Sequence, residues 1–283
     1  MSDALTVGGL VHTFDGRRAL DECSFTVPAG SVTALVGRNG AGKTTLLRAA
    51  AGLLTPDRGR VTVFGAPPGA ASLPRIGYVG QQAPLYRTLT VAQTLRLGAR
   101  LNPRWDTPYA QRLADAAQLP PAAKVGTLAP GQRMRLALVL ALGKRPGLLL
   151  LDEPLAHLDP VARTEAAGAL MAEVAEHGTT VVLSSHVVAD IEGVCDRVVV
   201  LAEGRVLLAA EVDDALAGHY VAVGGPGDLA PLDGAEIVET RPDGGGFTAL
   251  VRIAEPVPAG RLSWHRPTLE EMLLGYLRGV SAR

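Results

Sequence analysis

Gly37-Arg38-Asn39-Gly40-Ala41-Gly42-Lys43-Thr44, with Thr45 directly after it, separates an apolar run, Val32–Val36, from a proline-free stretch rich in Ala and Leu over residues 43–53. The run reads as a buried strand and the stretch as a helix closed by Gly52 and Pro56. Glycines at 37, 40 and 42 let backbone N–H groups of the turn converge at the start of that helix, where the helix dipole also favours an anion. The spacing is that of a phosphate-binding loop. Lys43 is predicted to reach the β- and γ-phosphates of a nucleotide, and the Thr44 hydroxyl to ligate Mg2+, a hard ion that prefers oxygen. Only three lysines occur in the chain, at 43, 124 and 144, and one of them sits here.

A metal beside such a loop needs a carboxylate at the end of a neighbouring buried strand, and Leu148-Leu149-Leu150-Leu151-Asp152 supplies it. Asp152 is predicted to hold Mg2+, mainly through water. Glu153 then orients or deprotonates the attacking water, so the two adjacent carboxylates have distinct tasks. Further out, residues 5–11, 24–27 and 61–64 and Ile76–Val79 read as strands. Residues from about 88 to 145 read as helices with loops at 102–107 and 119–129, a helical subdomain. A helix at 161–176, a strand at 180–184, a helix at 187–194 and a strand at 197–201 complete an alternating α/β pattern. Past about residue 216 the chain changes to short strands at 220–223, 236–239 and 247–253. Leu269, Met272, Leu273, Tyr276 and Leu277 then follow i, i+3, i+4, i+7, i+8 spacing and form one apolar helix face, which packs on the protein's own core or meets a partner.

The 283 residues are 47% hydrophobic and 19% charged, the composition of a soluble globular chain with room for a large domain and an appendage. With 27 Lys and Arg against 28 Asp and Glu there is no basic footprint for nucleic acid. Two cysteines, Cys23 and Cys195, have no metal-ligand spacing and make no disulfide framework. Residues 136–151 are apolar but broken at Gly143-Lys144-Arg145-Pro146-Gly147, and no basic-then-apolar leader opens the sequence, so the expectation is a cytosolic protein.

From about residue 5 to 216 the chain resembles the ATP-binding subunits of ABC transporters, with the motifs in family order. The fold this implies is an α/β P-loop NTPase of ABC type, with an antiparallel β subdomain, a RecA-like core and a helical subdomain, followed by a small β-rich extension over 217–283. Asp152-Glu153-Pro154-Leu155-Ala156-His157-Leu158-Asp159-Pro160 resembles the family's run of metal aspartate, catalytic glutamate and dimer-interface aspartate, which puts the last role on Asp159. Gln81, with Gln82 as the alternative register, is similar to the glutamine that senses metal and γ-phosphate. His186, in Leu183-Ser184-Ser185-His186, resembles the histidine that contacts the γ-phosphate, and Phe14 sits where the family stacks an aromatic ring on adenine. Without the resemblance, His186 reads as a hydrogen-bonded structural residue, Phe14 as core, and Asp159 as a turn or helix cap.

The family's signature, Leu-Ser-Gly-Gly-Gln, begins a helix that reaches the γ-phosphate on the opposite subunit. Here it reads Leu128-Ala129-Pro130-Gly131-Gln132. Ala129 has no hydroxyl to donate, a loss of about 1.5–3 kcal/mol for a charge-assisted contact. Pro130 is tolerated in a first helical turn but removes an N–H. Gly131 and Gln132 remain as candidate phosphate contacts. The chain thus pairs head to tail with itself, or with a related subunit whose intact signature completes its phosphate loop.

Asn102-Pro103-Arg104-Trp105-Asp106 and the closing Pro267-Thr268-Leu269-Glu270-Glu271-Met272-Leu273 resemble exporter-type subunits with a short C-terminal extension, although Trp105 alone reads as packing under the helical subdomain. The expectation is an ATPase with ATP and Mg2+ that powers a separately encoded membrane permease, peripheral on the inner face of the cell membrane. A weakly hydrolysing regulatory subunit is the alternative that Ala129-Pro130 suggests. A soluble ABC-type ATPase acting on ribosomes or DNA would call for two such domains or a long coiled-coil insertion.

Overall fold

The structure, a computed structural model, describes residues 2–156, 158, 160–225, 228, 235–255 and 262–279. Strands β1 (Asp3–Phe14) and β2 (Arg17–Pro28) form a long hairpin. Strand β3 (Val32–Val36) then runs straight into the glycine loop and helix α1 (Lys43–Ala50). Strand β4 (Arg58–Val63) returns to pair with β1, with Leu5 opposite Val63 and Val7 opposite Val61, giving an antiparallel sheet in the order β2-β1-β4. Its inner face meets α1: Leu5, Leu10, Leu20, Leu46 and Leu47 are all fully buried in one cluster.

Strand β5 (Ile76–Val79) leads to three helices, α2 (Val91–Leu101), α3 (Thr107–Ala116) and α4 (Pro130–Gly143). Thr90 and Gln93 close a capping box that starts α2, and Asp106 caps α3 by accepting the Tyr109 N–H at 2.9 Å. These helices share a core of their own around Val91, Leu119, Leu136 and Val139. Trp105 is wedged under them. A Cβ added to Gly98 or Gly143 would lie 2.8 or 2.7 Å from its ring, so packing accounts for this residue.

Strand β6 (Leu148–Asp152) is buried at every position. Leu148 and Leu150 point into the cluster shared with α1, and Leu149 and Leu151 into the opposite one, as expected for a parallel strand covered on both faces. Helix α5 (Pro160–His177) and strands β7 (Thr180–Ser185), β8 (Arg197–Ala202) and β9 (Arg205–Glu211) complete a six-stranded sheet in the order β5-β6-β7-β3-β8-β9, parallel except for β9. The helix expected over 187–194 is instead a single 3-10 turn, Val188–Asp190, because Ser185 Oγ accepts the Val187 N–H and bonds Asp190 Oδ2 (2.9 and 3.1 Å), closing the chain locally.

Helix α6 (Val212–Ala217) leads to strands β10 (His219–Gly224), β11 (Glu236–Asp243), β12 (Gly246–Arg252) and β13 (Ser263–His265), an antiparallel sheet in the order β11-β12-β10-β13. The last helix, α7 (Leu269–Gly279), is capped by Thr268 and Glu271. Its apolar face packs on the protein's own core: Met272 and Leu273 are fully buried among residues of β8 and of the Val188–Asp190 turn.

A polar cluster centred on the buried Glu173 ties the three-helix unit to α5. Glu173, 2% exposed, accepts hydrogen bonds from Tyr109 Oη and Thr179 Oγ1 and lies 3.3 Å from His177 Nδ1. Arg145 lays its guanidinium 3.5 Å from the centre of the Tyr109 ring and donates from Nε and Nη2 to Asp106 Oδ2 (3.1 and 3.0 Å). Burial, then the Glu173 hydrogen bond, pushes the Tyr109 phenol up, while the Tyr109 N–H and then Arg145 hold the Asp106 carboxyl down.

Candidate functional site

Register in the parallel sheet aligns the carboxyl ends of three strands. Val36 lies opposite Ser185, and Asp152 opposite Ser184. The segments that leave β3, β6 and β7 therefore emerge side by side, at the edge where open α/β sheets bind ligands. They carry the glycine loop, Asp152-Glu153 and His186.

The loop needs its glycines. Gly42 caps α1 at φ +108°, in the left-handed region, and a Cβ there would meet the Ala19 carbonyl at 2.4 Å. A Cβ on Gly37 would lie 2.4 Å from the Leu201 carbonyl. No side chain caps α1, so its first N–H groups are free to face an anion. Asn39, Gly40, Ala41, Gly42, Lys43, Thr44 and Thr45 line a cleft of about 390 Å³ together with Gln81, Glu153 and Ala19, while Gly37 is buried and Arg38 exposed beside it.

One carboxylate gathers the other motifs. Glu153 is 8% exposed, and its Oε1 lies 3.3 Å from Lys43 Nζ and 3.2 Å from His186 Nδ1, while its Oε2 accepts a hydrogen bond from Gln81 Nε2 at 3.3 Å. Lys43 also donates to the carbonyls of Gly37 (2.7 Å) and Arg38 (3.3 Å), folding back over its own loop. Glu153 has φ +49°, a strained value for a non-glycine residue. Ser184, fully buried, holds it there: its Oγ accepts the Glu153 N–H and donates to Asp152 Oδ1, both at 2.9 Å. Sequence reasoning missed Ser184 as a site residue, since in a buried strand a serine next to the quoted Ser185-His186 carries no separate signal.

Asp152 is 1% exposed, and its second oxygen, Oδ2, is buried without a hydrogen-bond partner. An orphaned carboxylate oxygen costs free energy unless a ligand meets it. Among the described residues no cluster of three or more His, Cys, Asp or Glu could hold a metal alone. The donor set of one carboxylate, a threonine hydroxyl and a glutamine suits Mg2+, which completes its shell with water and phosphate oxygens. Burial, then the Asp152 charge, pushes the Tyr78 phenol up, so no phenolate competes there. Burial likewise pushes Cys23 up to about 11 and Cys195 up to about 12, and neither offers a thiolate nucleophile.

Other expected residues lie apart from the cleft. Phe14 ends β1 and is 47% exposed, its ring edge-on to His12 at 4.5 Å; it is neither core nor part of the cleft lining, though the same hairpin supplies Ala19. Ala129, Gly131 and Gln132 begin α4, where Gln132 Oε1 accepts the Ala129 N–H at 3.1 Å, and none of them lines this chain's own cleft. Gln82 is exposed, and Gln81 is the glutamine that meets Glu153. Asp159 lies outside the described residues.

The family described as ABC transporter matches residues 20–156. The chain is 32% identical over 218 residues to the ABC transporter ATP-binding protein YtrB of Bacillus subtilis, covering 76% of this chain and 74% of that protein. To the aliphatic sulfonates import ATP-binding protein SsuB 2 of Agrobacterium fabrum it is 39% identical over 211 residues, covering 74% and 80%. A solved structure of an ATP-binding subunit of an ABC transporter superposes with a TM-score of 0.68 at 28% identity, over 75% of this chain and 91% of that one. Fold, site and relatives agree: the chain belongs to the ABC transporter ATP-binding subunits, a family of ATPases.

Proposed function

We propose that residues 1–216 bind and hydrolyse MgATP, with Lys43 moving from Glu153 and the loop carbonyls onto the β- and γ-phosphates. The supporting observation is the convergence of Lys43, Gln81 and His186 on one buried carboxylate, beside an unpaired Asp152 oxygen. Thr44, Asp152 and Gln81 hold Mg2+, which when bound neutralises phosphate charge. Once Lys43 has left it, Glu153 accepts the proton of the attacking water, and His186 donates to the γ-phosphate. Phe14 offers its exposed face to adenine.

Ala129, Gly131 and Gln132 act on the cleft of a second subunit, with Asp159 at that interface. What supports this is that Ala129, Gly131 and Gln132 do not line the chain's own cleft, and on this reading the working unit is a head-to-tail dimer. The Ala129 departure leaves self-pairing and pairing with a related subunit as the two forms of that dimer, and self-pairing is the one we propose.

A separately encoded permease anchors the subunit at the inner face of the membrane. Among the described residues no helix is long and apolar enough to cross a membrane. Among the described residues, four of the seven exposed large hydrophobic ones, Leu53, Leu73, Tyr86 and Leu101, line a single groove of about 420 Å³ that includes Gly80, next to Gln81. Exposed apolar surface concentrated this way suits an apolar element of the permease. Export is the direction we propose, on the 102–106 and 267–273 segments; the sulfonate relative is by name an import protein, so uptake against extrusion in vesicles of the complex is the deciding assay.

The test of the core reading is light scattering on Glu153→Gln with and without MgATP, alongside an ATP-binding measurement. Expected are bound ATP, no turnover and an ATP-dependent doubling of mass, with Lys43→Ala losing tight binding. Undiminished hydrolysis by Glu153→Gln overturns its role, and a monomer with ATP bound overturns self-pairing.

A further inference from the structure

His186 has little of its own to hold it: its side chain is 41% exposed and its charged neighbour is Glu153. Its position is therefore set by the backbone on either side. Upstream, β7 fixes it. Downstream lies the Val188–Asp190 turn, pinned on one flank by Ser185 and by Arg163 of α5, whose Nη1 donates to Asp190 Oδ1 at 3.2 Å. The other flank is apolar. Val188 and Ile191, 8% and 1% exposed, belong to one buried cluster with Leu269, Met272, Leu273 and Tyr276, all on α7.

Helix α7 is in turn locked to the C-terminal sheet. His219 Nε2 of β10 and Tyr276 Oη are 2.8 Å apart, His219 Nδ1 meets the Ala215 carbonyl, and Gly275 lies so close to Leu250 of β12 that a Cβ would be 2.4 Å from its side chain. The physical path from the extension to Glu153 is short: sheet, α7 and turn are buried together, and His186, itself 41% exposed, carries it on to the carboxylate. Interiors packed at this density shift as units rather than deform.

We propose that the C-terminal extension positions His186, with Met272, Leu273 and Ile191 as positioning residues, so that its docking sets the rate of hydrolysis and not the affinity for ATP. This rests on the hydrolytic reading of Glu153 and His186. No residue of α7 lines the cleft formed by the glycine loop and the start of α1, so nucleotide binding there should not depend on it.

The experiment is a double-mutant cycle in the full chain, reading kcat and ATP affinity for wild type, Met272→Ala, His186→Ala and the double variant. Met272→Ala is expected to lower kcat about tenfold, the order of one weakened charge-assisted hydrogen bond. ATP affinity should stay within about twofold, and Met272→Leu should restore kcat, since it refills the volume. In the His186→Ala background the same substitution should do nothing further. Ile191→Val, which deletes one methyl group from the turn side of the same buried cluster, carries the same test should Met272→Ala not fold. Additive losses in the double variant, or an unchanged kcat in Ile191→Val and Met272→Ala alike, overturn the proposal. Unchanged turnover in His186→Ala alone overturns the hydrolytic reading beneath it.

Discussion

Ser184→Ala removes one oxygen from a fully buried strand and nothing else of consequence to packing. That oxygen makes two bonds of 2.9 Å, accepting from the Glu153 N–H and donating to Asp152 Oδ1. A hydrogen bond to a carboxylate is worth about 1.5–3 kcal/mol, and stranding a buried N–H costs about 1–3 kcal/mol more. The lower ends of those ranges give about 2.5 kcal/mol, and in a chain of this size about 4 °C in Tm. Catalysis should fall as well, because the bond that holds Glu153 at φ +49° is lost and the residue is free to relax into an ordinary conformation. Urea unfolding followed by circular dichroism reads the first effect, and steady-state ATP hydrolysis at saturating MgATP reads the second. An unfolding free energy within about 0.5 kcal/mol of wild type, the range of ordinary surface changes, together with unchanged kcat, would refute the account of Ser184 as the keystone of the acidic pair.

Ala129→Ser restores a hydroxyl at the N-cap of α4, where Gln132 already makes the reciprocal half of a capping box. It should add about 1 kcal/mol of stability and tighten the ATP-dependent self-association of Glu153→Gln about tenfold, measured by sedimentation equilibrium; an unchanged dimer constant refutes its reach across the interface. Asp21 accepts from Arg205 Nε at 2.8 Å and from Arg18 Nη1 at 2.6 Å, and the Arg205 hydrogen bond above all holds its carboxyl below the usual range. Because the folded value lies below the unfolded one of about 3.9, this contribution is present above that pH and lost as pH falls through the folded value. Asp21→Asn should thus flatten the fall in urea midpoint below about pH 4, and an identical fall in both proteins counts against it.

The phosphate loop and its setting were legible because strand, glycines and helix are contiguous in the chain, and β6 because four leucines in a row leave no polar face. Lys43, Gln81 and His186 reach Glu153 from three segments besides its own, and only the order of the motifs gave the grouping. The misread stretch, 187–194, has Val187, Val188 and Ile191 at helical spacing; what ends the helix there is a side-chain bond from Ser185, which periodicity does not record. Strand β13 is three residues long, so the extension was seen only in outline, and ahead of it β9 and α6 follow each other without a turn signal. Gln81 was placed by resemblance, and its bond to Glu153 spans 72 positions that no local pattern connects.

The cluster around Glu173 bears on how force passes through the molecule. Its members, Asp106, Tyr109, Arg145, Glu173 and His177, sit where the three-helix unit joins α5, with Tyr109 and Glu173 buried at the centre and the other three partly open to solvent. Pulling its partners away would strand the Glu173 charge in a poor dielectric, so the contacts at that centre resist parting. Such a joint is expected to act more as a latch than as a spring: a weak push on the helices leaves the Glu173 contacts closed, and only a push that exposes that charge opens them. A permease working against it would feel a click.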